Sequence, residues 1–276
     1  MSAELATNHK RRRVGDGLEE DSITIHSLRV RLRELERKSS LVALSAQIEN
    51  VKLQLARPLV CFDLEATGLQ GPGTRVIAMA FMKIHPDNGI EFYAPGISNG
   101  TNSTLYVNPG DAFRSSLAAY EVHRIEDTDI RSAPPFSEYA QGLHNFLSGC
   151  DITGYNVSNF DIPLLTREFT RCKLDWDPRE GGLFIVDAMA LYEHYRSSEY
   201  AACKKLAYAY KSFIGEWPAD SHNADADVIA ALRLLYAMVE GDQKIREGCQ
   251  MLLRGEPKLP RVLNLRKKIY DSDSPD

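Results

Sequence analysis

No apolar run in the 276-residue chain approaches the roughly 20 residues that a membrane-spanning helix needs, and the N-terminus lacks the apolar stretch of a signal peptide. These absences predict an intracellular protein, cytoplasmic or nuclear, with no membrane partner. Cysteine is scarce: Cys61, Cys150, Cys172, Cys203 and Cys249 are widely spaced, with no Cys-x-x-Cys pair. That pattern excludes a disulfide frame and a thiolate zinc site, and reads as reduced thiols. A basic excess is missing too. The net charge is −5, and residues 58–241 carry 14 basic against 24 acidic residues. The flanking segments are mildly basic, 11 to 8 over residues 1–57 and 8 to 6 over residues 242–276. Such a body is not the footprint of a protein that coats nucleic acid by charge. It fits one that concentrates carboxylates, some of them around bound metal.

The composition that remains, 43% apolar and 26% charged, is ordinary for a soluble globular chain with ample core material. Residues 1–21 are polar and read as a disordered arm. The basic run Lys10 to Arg13 within it suits a nuclear-import signal or a phosphate contact. Residues 22–56 form a helical extension with two apolar stripes, Leu28, Leu32, Leu35 and then Leu44, Ile48, Val51, Leu55. The stripes differ in phase, so a break or stutter is expected at Ser39-Ser40. This helix either packs on the body or pairs with a second copy as a short coiled coil, giving a homodimer. Residues 57–241 form the main domain, and 242–276 an appended tail with Pro257, Pro260 and no clean period.

Within the main domain, apolar runs predict strands over 59–69, 74–83 and 89–94, with turn chemistry at Pro86 to Gly89. Three consecutive strands imply an antiparallel start to the sheet. Helices are expected over 113–122, 136–147, 161–171, 187–195, 203–214 and 222–239, with further strands over 151–155 and 183–186.

The chemistry begins on the first strand. Asp63 and Glu65 stand two apart, so on a strand both point to one face. Paired carboxylates at the end of a buried strand repel, and a hard divalent cation between them relieves that. Alternatively, one caps the next element and the other is solvated. Asp161, before Ile162-Pro163, reads in itself as a helix N-cap. Asp227 falls in the first turn of the last strong helix, on a side that can face the first strand. His222 lies on the loop entering that helix, where alone it reads as an ordinary polar residue. Asp187 follows a strand and reads as structural.

Three motifs stand in order: Phe62-Asp-Leu-Glu-Ala-Thr-Gly-Leu69, Gly154-Tyr-Asn-x-x-Asn-Phe-Asp-Ile-Pro-Leu-Leu165 and His222-x-Ala-x-x-Asp227. With these, residues 58–240 resemble the DnaQ-like 3′–5′ exonucleases of the DEDDh type. The resemblance implies an RNase H-like α/β fold, a mixed sheet flanked by helices. It implies two divalent metal ions, magnesium or manganese, held by Asp63, Glu65, Asp161 and Asp227, with His222 as general base. Asp225 is the reserve ligand, although the family spacing selects Asp227. Ala66, Thr67, Leu69, Ile125, Asn156 and Phe160 take the places that contact the 3′ nucleotide. The family usually has His-Gly-Ile where this chain has His123-Arg124-Ile125, so Arg124 adds a phosphate contact or narrows the groove. The implied partners are 3′ ends of single-stranded DNA or RNA. Two other readings stand beside this one: a non-catalytic binding module on the same fold, and an oligoribonuclease-like enzyme for short RNA. The Asp-Leu-Glu wording of the first motif leans toward the last.

Overall fold

The computed structural model describes residues 16–69, 71–95, 103–110, 116–179, 182–195, 203–219 and 222–254. The basic run at Lys10 to Arg13 and the tail beyond Arg254 lie outside these residues. Among the described residues no helix is long and apolar enough to cross a membrane.

The chain enters through one helix, α1 (Asp16–Val51), which runs unbroken through Ser39-Ser40. The expected stutter is absent because the two apolar stripes serve opposite sides of one continuous helix. Leu44, Ile48 and Val51 are buried in the core, whereas Leu28, Leu32 and Leu35 are exposed. Serine in a helix interior is only mildly unfavourable, so Ser39-Ser40 does not force a break.

Among the described residues, six strands form one sheet. Strand β1 (Leu59–Ala66) is central, antiparallel to β2 (Val76–Ile84) and parallel to β5 (Asp151–Gly154). β5 is in turn parallel to β6 (Ile185–Asp187). On the outer edge of β2 lie two short strands in tandem, β3 (Ile90–Phe92) and β4 (Leu105–Tyr106). This is the mixed sheet with an antiparallel start that the sequence predicts; the two-residue β4 was not foreseen.

Helices cover both faces, because residues of β1 alternate between them. Val60, Phe62 and Leu64 join a core with α4 (Phe136–Leu147) and α5 (Asp161–Arg171). Leu59 and Cys61 join a second core with α1, α6 (Ala188–Tyr195) and α8 (Ala224–Gly241). The remaining helices are short α2 (Leu117–His123) and α3 (Asp127–Arg131), then α7 (Leu206–Ile214) and α9 (Gln243–Leu253). The last gives the start of the expected appended tail a regular element, and it lies on the body. Ile245, Cys249 and Leu253 are buried one turn apart, and Gln250 exchanges hydrogen bonds with the backbone of Gln54 at 3.0 and 2.8 Å.

Helix α1 is locked to the body by a buried charge pair. Arg37 meets Asp225 of α8 at 2.6 Å and donates to Ser103 Oγ at 3.0 Å, while the Ser103 N–H donates to Asp225 at 3.1 Å. Removing one partner of a buried pair leaves an uncompensated charge. Arg37→Ala is therefore expected to lower unfolding stability by about 3 kcal/mol, measured by urea denaturation. A change below about 0.5 kcal/mol, the range of ordinary surface substitutions, would contradict the pairing.

Candidate active site

The alternation that buries Cys61 on the α8 side of β1 carries Asp63 and Glu65 to the same face, where both are only partly buried. Opposite them on β2 stand Ala80 and Ala78, whose small side chains leave the face open. Just beyond, the register shifts between Glu65 and Ala66. A bulge of this kind re-aims side chains at the end of a strand.

Helix α8 starts over this strand end. The Cys61 thiol donates to the Val228 carbonyl at 3.7 Å, setting the first turn of α8 against β1. Asp227 thereby joins the pair: oxygens of Asp63, Glu65 and Asp227 lie within 4.8 Å of one another. Their electrostatics follow from crowding. Burial and then the charge of Glu65 raise the Asp63 pKa well above the carboxylate range. Burial and then Asp227 push Glu65 up to about 8. Three carboxylates so placed suit a hard divalent cation, which takes oxygen ligands and favours their ionised forms.

Asp161 reaches the same strand from the other side. Parallel pairing of β1 with β5 stops at Cys61 and Thr153, and the Leu64 N–H beyond that point donates to Asp161 Oδ1 at 2.9 Å. Asp161 is thus the first residue of α5 without capping it; Phe160 is the N-cap, with no side-chain hydrogen bond. The carboxylate is almost fully buried, and burial followed by the charge of Asp63 raises its pKa. The chain bends into this position through a loop held by Asp187. Its carboxylate accepts from the N–H groups of Asn156 at 2.9 Å and Ser158 at 3.0 Å, a structural role.

His222 adopts a left-handed backbone, φ 74°, and its N–H donates to Asp227 Oδ2 at 3.0 Å. The residue as a whole is exposed, yet partial burial of the ring, then the charges of Lys205 and Arg124, lower its pKa. Asp225, the reserve ligand, is outside this cluster and engaged with Arg37.

The model of the RNase_T family, described as exonuclease, matches residues 60–235, which span all three motifs. The chain belongs to this exonuclease family. Among curated proteins, a 3′–5′ exonuclease DinG of Staphylococcus aureus (strain bovine RF122 / ET3-1) is 24% identical over 184 residues. That alignment covers 66% of this chain and 18% of the relative, so the chain spans under a fifth of its length. DinG of strain USA300 is similar at 23%. Among solved structures, the zinc-bound E. coli ExoI–ssDNA complex superposes with TM-score 0.58 at 17% identity, covering 69% of this chain and 42% of that one. E. coli exonuclease I with a dT13 oligonucleotide gives 0.53 at 18%, covering 65% and 40%. These likenesses show the fold, the RNase H-like sheet flanked by helices.

The positions expected to contact the 3′ nucleotide differ in their exposure. Leu69 is 88% exposed, whereas Ala66 and Thr67 are buried. The Thr67 hydroxyl accepts from the Arg75 N–H at 3.1 Å. Asn156, φ 60°, and Phe160 lie in the loop before Asp161. Ile125 packs with Ile77, Ala78 and Ile130, and it lines a groove of about 930 Å³ that reaches His222. Arg124, Tyr106 and Arg33 share that groove. Arg33 and Tyr106 belong to no motif, and only the folded chain brings them there.

Gly154, at the end of β5, is required by close approach. A Cβ there would stand 2.9 Å from the Phe62 carbonyl oxygen and 2.9 Å from Val157 Cβ. Gly154→Ala must push β5 from the strand carrying Asp63. It is expected to cost about 1–3 kcal/mol and to slow catalysis; an unchanged thermal midpoint would contradict the contact.

Proposed function

We propose that this chain hydrolyses phosphodiester bonds one nucleotide at a time from the 3′ end of single-stranded or frayed nucleic acid. The observation that carries the reading is the convergence of Asp63, Glu65 and Asp227 within 4.8 Å, with Asp161 anchored behind them on the Leu64 N–H at 2.9 Å. A binding module would have no chemical use for so costly a set of crowded carboxylates. Two magnesium or manganese ions fit this oxygen-rich set, with Asp63, Glu65, Asp161 and Asp227 as their holders. When bound, such ions polarise the phosphoryl group and stabilise the attacking and leaving oxygens.

The chain's own residues do the rest. His222 takes the proton from the attacking water; its backbone bond to Asp227 holds it beside the cluster. Exposed Leu69 stacks against the terminal base, and Ile125 adds an apolar wall to the groove that reaches His222. Asn156 and Phe160, set by the Asp187 clamp, flank the terminal sugar. Arg124 contributes positive charge to a groove that would carry the backbone of the strand.

The test is digestion of 5′-labelled single-stranded DNA and RNA with magnesium or manganese. The expected product is a ladder shortening from the 3′ end and lost in chelator, with the faster substrate identifying the preferred sugar. No cleavage of either strand with either ion overturns the proposal in favour of a binding module.

A further inference from the structure

Helix α1 keeps one side against the body, where Arg33 lines the groove and Arg37 meets Asp225, and its other side is uncovered. Residues 27–36 are exposed, with Glu34 alone partly buried and Arg29 not described. An isolated helical segment of that length is marginal in water and gains most of its stability by packing an apolar face. Such a face is present. Leu28, Leu32, Leu35 and Val42 are 62, 55, 58 and 70% exposed.

Their spacing is that of a coiled-coil seam. Leu28, Leu35 and Val42 occupy one heptad position, and Leu32 and Ser39 the other, alternating four and three residues apart. The same spacing continues in the sequence to Ile25 and Leu18, with Asp21 between them. The body-facing residues Arg37, Leu44 and Val51 are themselves seven apart. At about 3.6 residues per turn, Leu35 and Leu44 lie on opposite sides of the helix. A partner on the seam therefore meets no obstruction from the chain's own body.

We propose that two copies of this chain associate through α1 as a parallel, in-register, two-stranded coiled coil. Charge decides both the partner and the direction. Arg31 and Glu36 flank the seam, both exposed, at the positions that face each other across a parallel pair. An antiparallel pair would instead set Arg31 and Lys38 of one helix against the same basic positions of the other. The bodies then lie on the outer sides of the coil.

The experiment is light scattering on the full chain, with the exonuclease assay run separately as a control for folding. The expected mass is twice the 30.9 kDa of one chain. Leu28→Glu with Leu35→Glu changes only exposed positions and is expected to halve that mass, leaving the circular dichroism of the body intact. Arg31→Glu and Glu36→Arg, each alone, are expected to weaken association at least tenfold. Combined, they restore it, an outcome that a contact within one helix cannot produce because residues five apart are not neighbours. A monomeric wild type at the highest concentration reached overturns the proposal. So does a dimer indifferent to the leucine changes. Either failure leaves the exonuclease reading untouched, since none of these residues belongs to the carboxylate cluster.

Discussion

Asp63→Asn is expected to reduce release of the 3′ nucleotide by at least ~1,000-fold while leaving the fold intact. The side chain keeps its shape but loses the charge nearest the centre of the cluster, between Glu65 on its own strand and Asp161 behind it. A bound metal contributes several kcal/mol of transition-state charge stabilisation, and each 1.36 kcal/mol is about a factor of ten in rate. Losing a holder shared by the set therefore costs three or more factors of ten. The measurement is a single-turnover rate on a 5′-labelled strand under saturating magnesium, repeated with manganese. Asp225→Asn makes the informative contrast. Asp225 is two residues from Asp227 but is bound to Arg37 at 2.6 Å, so its loss should lower stability first and rate only as the α8 start loosens. Rates for Asp63→Asn within tenfold of wild type would remove Asp63 from the chemistry.

Much of this arrangement was legible because it is local and periodic. The apolar run around Asp63 and Glu65 announces a buried strand, and α4 occupies Phe136–Leu147 as expected because Pro134-Pro135 punctuates an amphipathic pattern. What was missed depends on contacts distant in sequence or on elements too short to show a period. Asp161 looks like a helix cap because nothing local reveals that the pairing of β1 with β5 ends at Cys61 and strands the Leu64 N–H. Asp225 looks like a spare ligand until Arg37, nearly the whole domain away in sequence, is brought beside it. The helix α9 was hidden by prolines that lie beyond its end, although Ile245, Cys249 and Leu253 repeat every four residues. A break at Ser39-Ser40 was inferred from two stripes out of phase, an inference that assumes a helix has only one face to bury. The five-residue α3 and two-residue β4 carry no periodic signal at all.

Crowded carboxylates also predict how the metal-free protein responds to pH. Glu65 has an ordinary pKa of 4.5 and is pushed up to about 8 in the folded chain; Asp63 and Asp161 are raised as well. Below about pH 4.5 Glu65 is protonated whether folded or not, and it contributes no pH dependence. Between 4.5 and about 8 the unfolded chain releases this proton while the folded chain retains it, so the folded state binds more protons and stability falls as pH rises. Each fully displaced unit costs about 1.4 kcal/mol, and above about 8 the loss levels off. In chelator, the denaturation midpoint should therefore decline through this window, against the rise usual for salt-bridged carboxylates. Asp63→Asn removes one of these displaced titrations and the charge that Asp63 sets against Asp161, so the metal-free variant should be more stable than the wild type at pH 8 and lose the decline in part, while burial and Asp227 still hold Glu65 up. Magnesium or manganese at the same pH should raise the wild-type midpoint by several degrees and the variant's far less, because the ion binds only the folded cluster. Thermal scans of both proteins at pH 5 and pH 8, with chelator and with metal, separate these effects. A metal-free midpoint that climbs from pH 5 to 8, unaltered by Asp63→Asn, would mean that these carboxylates are neither desolvated nor crowded in the folded chain. The cluster would then lose its claim to be a metal site.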